Sequence, residues 1–207
     1  MNLLDQLRAH RVLAIVRGTD QDAALRTVLT LAAEGIHLIE VSLTTPGALR
    51  VIEQARRELG PTAPLGAGTV LTADDAAHAA AAGADFLVTP GLGDDLSSLE
   101  LPVLAGAVTP SEVIAQTRRG ACAVKLFPAS LGGPGYLRAL RDPFPSVPFI
   151  PVGGIDQAAA LDYLAAGAIA VGVGSPLVGD AANGGDLDEL RTRAAAWRRT
   201  VAEEVAA

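Results

Sequence analysis

Eight short apolar runs recur along the chain: VLAIV (12–16), LIEVSL (38–43), LGAGTV (65–70), FLVTP (86–90), PVLAGA (102–107), AVKLFP (123–128), FIPVGG (149–154) and IAVGVG (169–174). Each is too short for a helix and ends in a polar or glycine-containing turn, as buried parallel strands do. Most are followed by longer segments with helix-start chemistry, in which a side-chain oxygen can take up the free N–H groups of a first turn. Thr45-Pro46, Thr109-Pro110 with Glu112, Asp156 and Ser175-Pro176 fit that role. Helices after strands four and eight are poorly signalled and expected to be short. The acidic, Ala-rich segment from Asp186 to Ala207 reads as a closing helix.

Strands alternating with helices imply parallel pairing through right-handed crossovers, and eight such units can close into a (β/α)8 TIM barrel. An open doubly wound sheet is the alternative. Against it, no strand leads into a full G-x-G-x-x-G fingerprint, and eight units match the closing number. The expectation is α/β, with residues 1–207 forming one barrel domain uninterrupted by a linker or charge block. Period two then assigns the side chains of each strand. Ile39, Val41 and Leu43 face the helices, so Leu38, Glu40, Ser42 and Thr44 face inward. Val124 and Leu126 face outward, so Ala123, Lys125 and Phe127 face inward. An acid and an amine therefore enter the barrel from two different strands, a costly arrangement unless they are paired or used.

Composition narrows the function. Half the residues are hydrophobic but only 3% are aromatic, so the core is built from Ala, Val, Leu and Ile. The formal net charge of -7 argues against nucleic acid as a partner, which would need a basic stripe, and an anionic substrate then needs a local site. Cys122 has no second cysteine to pair with, which fits a reducing compartment. Asp5, Arg8 and Arg11 interrupt any apolar export signal, and the longest apolar stretch, 164–178, is broken by Gly, Ser and Pro. A soluble, cytoplasmic protein with no membrane partner is expected.

Lys125 is the only lysine, against fifteen arginines. Arginine serves wherever a solvated cation is wanted, whereas an amine kept from water beside a cation such as Arg17 can shed its proton and attack a ketone. Glu40 is the matching proton carrier. A structural Lys125–Glu40 ion pair is the plainer alternative. Arg17 ends the first strand, at the C-terminal rim where barrels of this kind carry their sites, and could grip a carboxylate in two-pronged fashion; a solvated strand-end arginine would look the same. Thr69 could donate to that carboxylate or merely cap a turn. Gly153-Gly154 and Gly174-Ser175 end the last two strands, where backbone N–H groups often hold a phosphate, although tight turns also use glycine. His10, His37 and His78 are dispersed without metal-ligand spacing, so neither metal nor cofactor is expected, and no G-x-S-x-G elbow points to a serine hydrolase.

These stretches, "IEVSLTTP", "GAGTVLTADDAAHAAAAGADFLVTPGL", "AVKLFPAS", "PFPSVPFIPVGGI" and "AVGVGSPLV", resemble the 2-keto-3-deoxy-6-phosphogluconate (KDPG) and 4-hydroxy-2-oxoglutarate (KHG) aldolases, in order and spacing from about residue 10 to 180. The resemblance implies a metal-independent class I aldolase, a homotrimeric TIM barrel that cleaves keto acids to pyruvate and an aldehyde. It implies Lys125 as the Schiff-base lysine and Glu40 as the general acid/base. Thr69 and Pro90 correspond to pyruvate-pocket residues, Phe127 to the wall beside the lysine, and Gly153, Gly154, Gly174 and Ser175 to the phosphate site. Two departures stand out. Where many members carry arginine, in "EVTLRT", this chain has Thr44, and members with an arginine ending strand one place it as Arg17 does. Val152, before the glycine pair, is the residue type of enzymes for the C4-epimeric 2-dehydro-3-deoxy-6-phosphogalactonate. That epimer is one alternative substrate; a phosphosugar isomerase or epimerase without an imine, and a non-catalytic phosphate-binding barrel, are others.

Overall fold

The computed structural model describes residues 2–94 and 101–203. The chain runs α1 (Leu3–His10), β1 (Val12–Val16), α2 (Gln21–Ala33), β2 (Leu38–Ser42), α3 (Ala48–Leu59), β3 (Leu65–Gly68), α4 (Ala73–Ala81) and β4 (Phe86–Val88). It continues with β5 (Val103–Ala107), α5 (Pro110–Arg118), β6 (Ala123–Leu126), α6 (Gly133–Arg141), β7 (Phe149–Pro151), α7 (Gln157–Ala165), β8 (Val171–Val173), α8 (Ser175–Val178) and α9 (Leu187–Glu203). All eight sequence-predicted strands form, in the order β7-β6-β5-β4-β3-β2-β1-β8, every pair parallel. A bridge between Val152 and Gly172 brings β7 against β8, making a nearly closed (β/α)8 barrel. β1 spans its whole apolar run, whereas the other seven strands stop one to three residues short of theirs at one or both ends, most of them at the C-terminal rim.

The alternation expected from period two is realised as two shells. Ile39, Val41, Val124 and Leu126 belong to the outer core shared with the helices. Leu13, Leu38, Phe86, Val88, Leu104, Ala123 and Ile150 fill the interior, together with Leu7 from α1, which the strand pattern did not anticipate. Burying each of the larger of these side chains contributes roughly 1.5–3 kcal/mol before entropy is counted. Beyond Ser42 the alternation ends with β2, and Thr44 lies exposed in the following turn.

Two of the four expected caps hold. Thr109 accepts from the Glu112 N–H while Glu112 reaches back, a reciprocal capping box, and Asp156 accepts from the Ala159 N–H. Thr45 is a correction. Its hydroxyl accepts from the Gly18 N–H at 3.2 Å, a contact between separate rim loops, and Gly47 takes the cap position of α3. Ser175 is likewise the first helical residue of α8, with Gly174 before it. The segment after strand four falls on residues 95–100, outside the described residues, while α8 is short as expected. The closing helix forms as α9; its expected last residues, 204–207, lie outside the described ones. Buried Trp197 on α9 donates to the Pro176 carbonyl at 3.2 Å, and Arg193 donates to the Leu177 and Val178 carbonyls, both at 3.0 Å, so α9 fastens the short helix at the rim.

Candidate active site

β2 and β6 lie on opposite parts of the barrel wall, and the side chains they send inward meet. Lys125 Nζ stands 4.0 Å from Glu40 Oε1, with the two side chains 7% and 1% exposed. At that separation the pair is ionic rather than hydrogen-bonded, and a hydroxyl beside the pair could hydrogen-bond to both. The Lys125 amine also lies 5.4 Å from the centroid of the Phe127 ring, two residues along the same strand face. Space for the carboxylate comes from β3: a Cβ on Gly68 would stand 2.5 Å from Glu40 Oε1. The second oxygen, Oε2, is buried without a hydrogen-bond partner among the described residues.

The burial of the whole carboxyl has an electrostatic consequence. Burial pushes the Glu40 carboxyl above its ordinary value near 4.5, and the cations of Lys125 and Arg17 pull it down without cancelling the effect. A carboxyl in this position can hold a proton where an exposed glutamate would have released it, as a proton carrier requires.

Arg17 leaves the end of β1 and reaches across β2 toward β3. Its Nε donates to Ser42 Oγ at 3.3 Å and its Nη2 to Thr69 Oγ1 at 3.5 Å. Ser42 Oγ is itself 2.8 Å from Thr44 Oγ1 and 2.9 Å from Thr69 Oγ1. Thr69 adopts φ 60, a left-handed conformation that a β-branched residue takes only when its surroundings impose it. Its hydroxyl lies within reach of both Ser42 Oγ and Arg17 Nη2. Among the described residues Arg17 makes no ion pair with an acid, so its charge is available to a ligand.

A cavity of about 450 Å³ opens at this rim. Arg17, Thr69, Pro90, Lys125 and Phe127 line one part of it, and Gly153, Gly154, Gly174 and Ser175 line another. Every sequence-predicted site residue is thus on the cavity wall except Glu40, which reaches the site through Lys125. Gly153 and Gly154 have φ of 100 and 74, and a Cβ on Gly154 would stand 3.0 Å from Ser130 Cβ, so glycine is needed for both conformation and approach. Their backbone N–H groups, and that of Gly174, have no backbone acceptor among the described residues. Sequence reasoning missed Asn183, which also lines the cavity and accepts from Thr19 through both its N–H (2.9 Å) and its hydroxyl (3.1 Å). Its place 164 residues from Thr19 leaves no local signal. Ser42 was placed inward by parity but given no role.

With this geometry in view, a family model described as KDPG and KHG aldolase matches residues 3–192. The chain belongs to the KDPG and KHG aldolase family. The 2-dehydro-3-deoxy-phosphogluconate aldolase of Pseudomonas aeruginosa is 38% identical over 163 residues, 76% of this chain and 74% of that protein. The KHG/KDPG aldolase of Escherichia coli K12 is 38% identical over 166 residues, 77% and 78% of the two chains. The structure of Legionella pneumophila KDPG aldolase, with pyruvate captured as a covalent carbinolamine, superposes with a TM-score of 0.86 at 30% identity, covering 95% of this chain and 98% of that one. This member of the aldolase family is accordingly a lyase built on the (β/α)8 barrel.

Proposed function

We propose that this aldolase cleaves 2-keto-3-deoxy-6-phosphogluconate to pyruvate and glyceraldehyde 3-phosphate, and 4-hydroxy-2-oxoglutarate to pyruvate and glyoxylate, through an imine on Lys125. One observation carries the reading: the chain's single lysine is buried inside the barrel, 4.0 Å from a carboxylate, on the wall of a cavity that it shares with an arginine and a glycine rim.

In the neutral form Lys125 Nζ attacks the C2 ketone of the substrate, forming a carbinolamine. Glu40 donates the proton that lets the C2 hydroxyl leave as water, and the iminium remains. The Glu40 carboxylate then takes the proton of the C4 hydroxyl, the C3–C4 bond breaks into the iminium, and the aldehyde departs. The enamine regains a proton at C3, and water releases pyruvate from Lys125. Arg17 and Thr69 hold the carboxylate, Pro90 and Phe127 wall the pyruvyl end, and Gly153, Gly154, Gly174 and Ser175 offer N–H groups to the phosphate.

The chain works as one barrel domain, without metal or cofactor, in a cytoplasmic homotrimer with no nucleic-acid or membrane partner. The family resemblance and the net charge of -7 support this part, and among the described residues no helix is long and apolar enough to cross a membrane. Borohydride reduction in the presence of pyruvate tests the mechanism: mass spectrometry should place an N-(1-carboxyethyl) adduct on Lys125, and a folded protein with no adduct would refute it. Comparing kcat/KM for KDPG, its C4 epimer and 4-hydroxy-2-oxoglutarate ranks the substrates.

A further inference from the structure

Three hydroxyls stand in series beside the cavity, and their protons cannot be arranged freely. Ser42 Oγ has one hydrogen and two lone pairs. The Arg17 Nε–H is always a donor, so its 3.3 Å bond takes one lone pair. One hydrogen and one lone pair remain for the bonds to Thr44 and Thr69, at 2.8 and 2.9 Å. Only two arrangements satisfy Ser42. In the first, Thr44 donates to Ser42 and Ser42 donates to Thr69. Thr69 then accepts from Ser42 and from Arg17 Nη2, and its own hydrogen is free to point into the cavity. In the second the chain runs backward: Thr69 spends its hydrogen on Ser42 and offers the cavity a lone pair.

A carboxylate only accepts hydrogen bonds, so it selects the first arrangement and is repelled by the second. Ser42 is 0% exposed and absent from the cavity wall, so it acts through its neighbours rather than by touching the ligand. The geometry points to Ser42 as a positioning residue for carboxylate recognition: it fixes the plane of the Arg17 guanidinium and sets the direction of the hydroxyl chain so that Thr69 donates into the cavity. The inference rests on the proposed binding of a keto acid beside Lys125.

The chain direction makes an asymmetric expectation. Ser42→Ala removes both the Arg17 anchor and the donor to Thr69. Thr44→Val leaves the Ser42 hydrogen no partner but Thr69, which favours the productive direction. The test measures the half-saturating concentration for borohydride trapping on Lys125, with pyruvate and with pyruvamide, which has the ketone but no carboxylate. Ser42→Ala is expected to raise the pyruvate value roughly tenfold, the loss of one charge-assisted hydrogen bond, while leaving pyruvamide within about twofold. Ser42→Thr, which restores the hydroxyl, should return the pyruvate value toward wild type, and Thr44→Val should not raise it. Should Ser42→Ala fail to fold, Ser42→Cys, a weak donor and acceptor, replaces it with the same expected split. Equal losses for pyruvate and pyruvamide, an unchanged pyruvate value, or a Thr44→Val penalty as large as that of Ser42→Ala would each overturn the assignment. Wild-type protein that traps no pyruvate at all would instead sink the imine mechanism, and that result is read before any variant is made.

Discussion

Adding a single methyl at Gly68 probes Glu40, the proposed proton carrier, without replacing it. An alanine Cβ there would stand 2.5 Å from Glu40 Oε1 and 2.9 Å from its carboxyl carbon, whereas unstrained contact begins near 3.5 Å. The carboxylate must therefore retreat by about 1 Å, off its place opposite the amine. The backbone at Gly68 lies in β3 outside the positive-φ set, so alanine suits the conformation and the perturbation is steric. Overpacking costs about 1–3 kcal/mol and the stiffer unfolded chain returns about 0.4–1, so the variant should fold with a modest loss. Misplacing a reacting group by about 1 Å costs on the order of 100-fold in rate. The assay is exchange of pyruvate methyl protons for deuterium, followed by NMR, which reports proton transfer to and from the enamine. Gly68→Ala should slow exchange on the order of 100-fold while pyruvate is still trapped on Lys125 by borohydride. A folded variant exchanging within about threefold of wild type would mean that the Glu40 position does not govern proton transfer.

Other expectations follow from the same geometry. Because burial holds the Glu40 carboxyl above 4.5, the acid limb of the kcat profile should lie above that pH; Arg17→Met, which removes a cation lowering it, should move the limb upward, as pH–rate curves will read. In the folded state Glu40 keeps a proton that the unfolded chain releases, so its contribution to stability is greatest below 4.5 and declines as pH rises through the raised value. Glu40→Gln should remove that slope from urea unfolding measured across pH. Lys125→Met leaves the carboxylate without its partner, costing up to about 3–5 kcal/mol near neutrality and less toward pH 4.5, where Glu40 takes up a proton. Gly154→Ala, strained at φ 74 and crowded by Ser130, should lower kcat/KM for KDPG at least tenfold, as for roughly 1.4 kcal/mol, yet spare unphosphorylated 4-hydroxy-2-oxoglutarate; equal losses would remove the phosphate from that rim.

Much of the site was legible because a strand has period two and this chain has one lysine. Those facts alone put Glu40 and Lys125 inside the barrel, and the two shells of the core agree. Arg17 and the glycine pairs were legible from their place at strand ends. What escaped depends on groups distant in sequence. Thr45 fits a cap by its neighbours, but the Gly18 N–H claims its hydroxyl. The left-handed turn at Thr69 contradicts the preference of a β-branched residue, since the rim rather than local propensity sets it. Ser42 matters through the protons it shares with three partners, and no single-letter pattern records their direction. Helix α1 was overlooked because its buried Leu7 serves the barrel interior rather than an adjoining helix.

The anchoring of α8 by Trp197 and Arg193 divides labour along the chain. The amine and the carboxylate stand on β6 and β2, whereas the short helix beside the Gly174-Ser175 turn, the proposed phosphate rim, is secured by the last helix. On the proposed reading of that rim, substitutions in the C-terminal region change what the enzyme accepts while Lys125 and Glu40 stay in place.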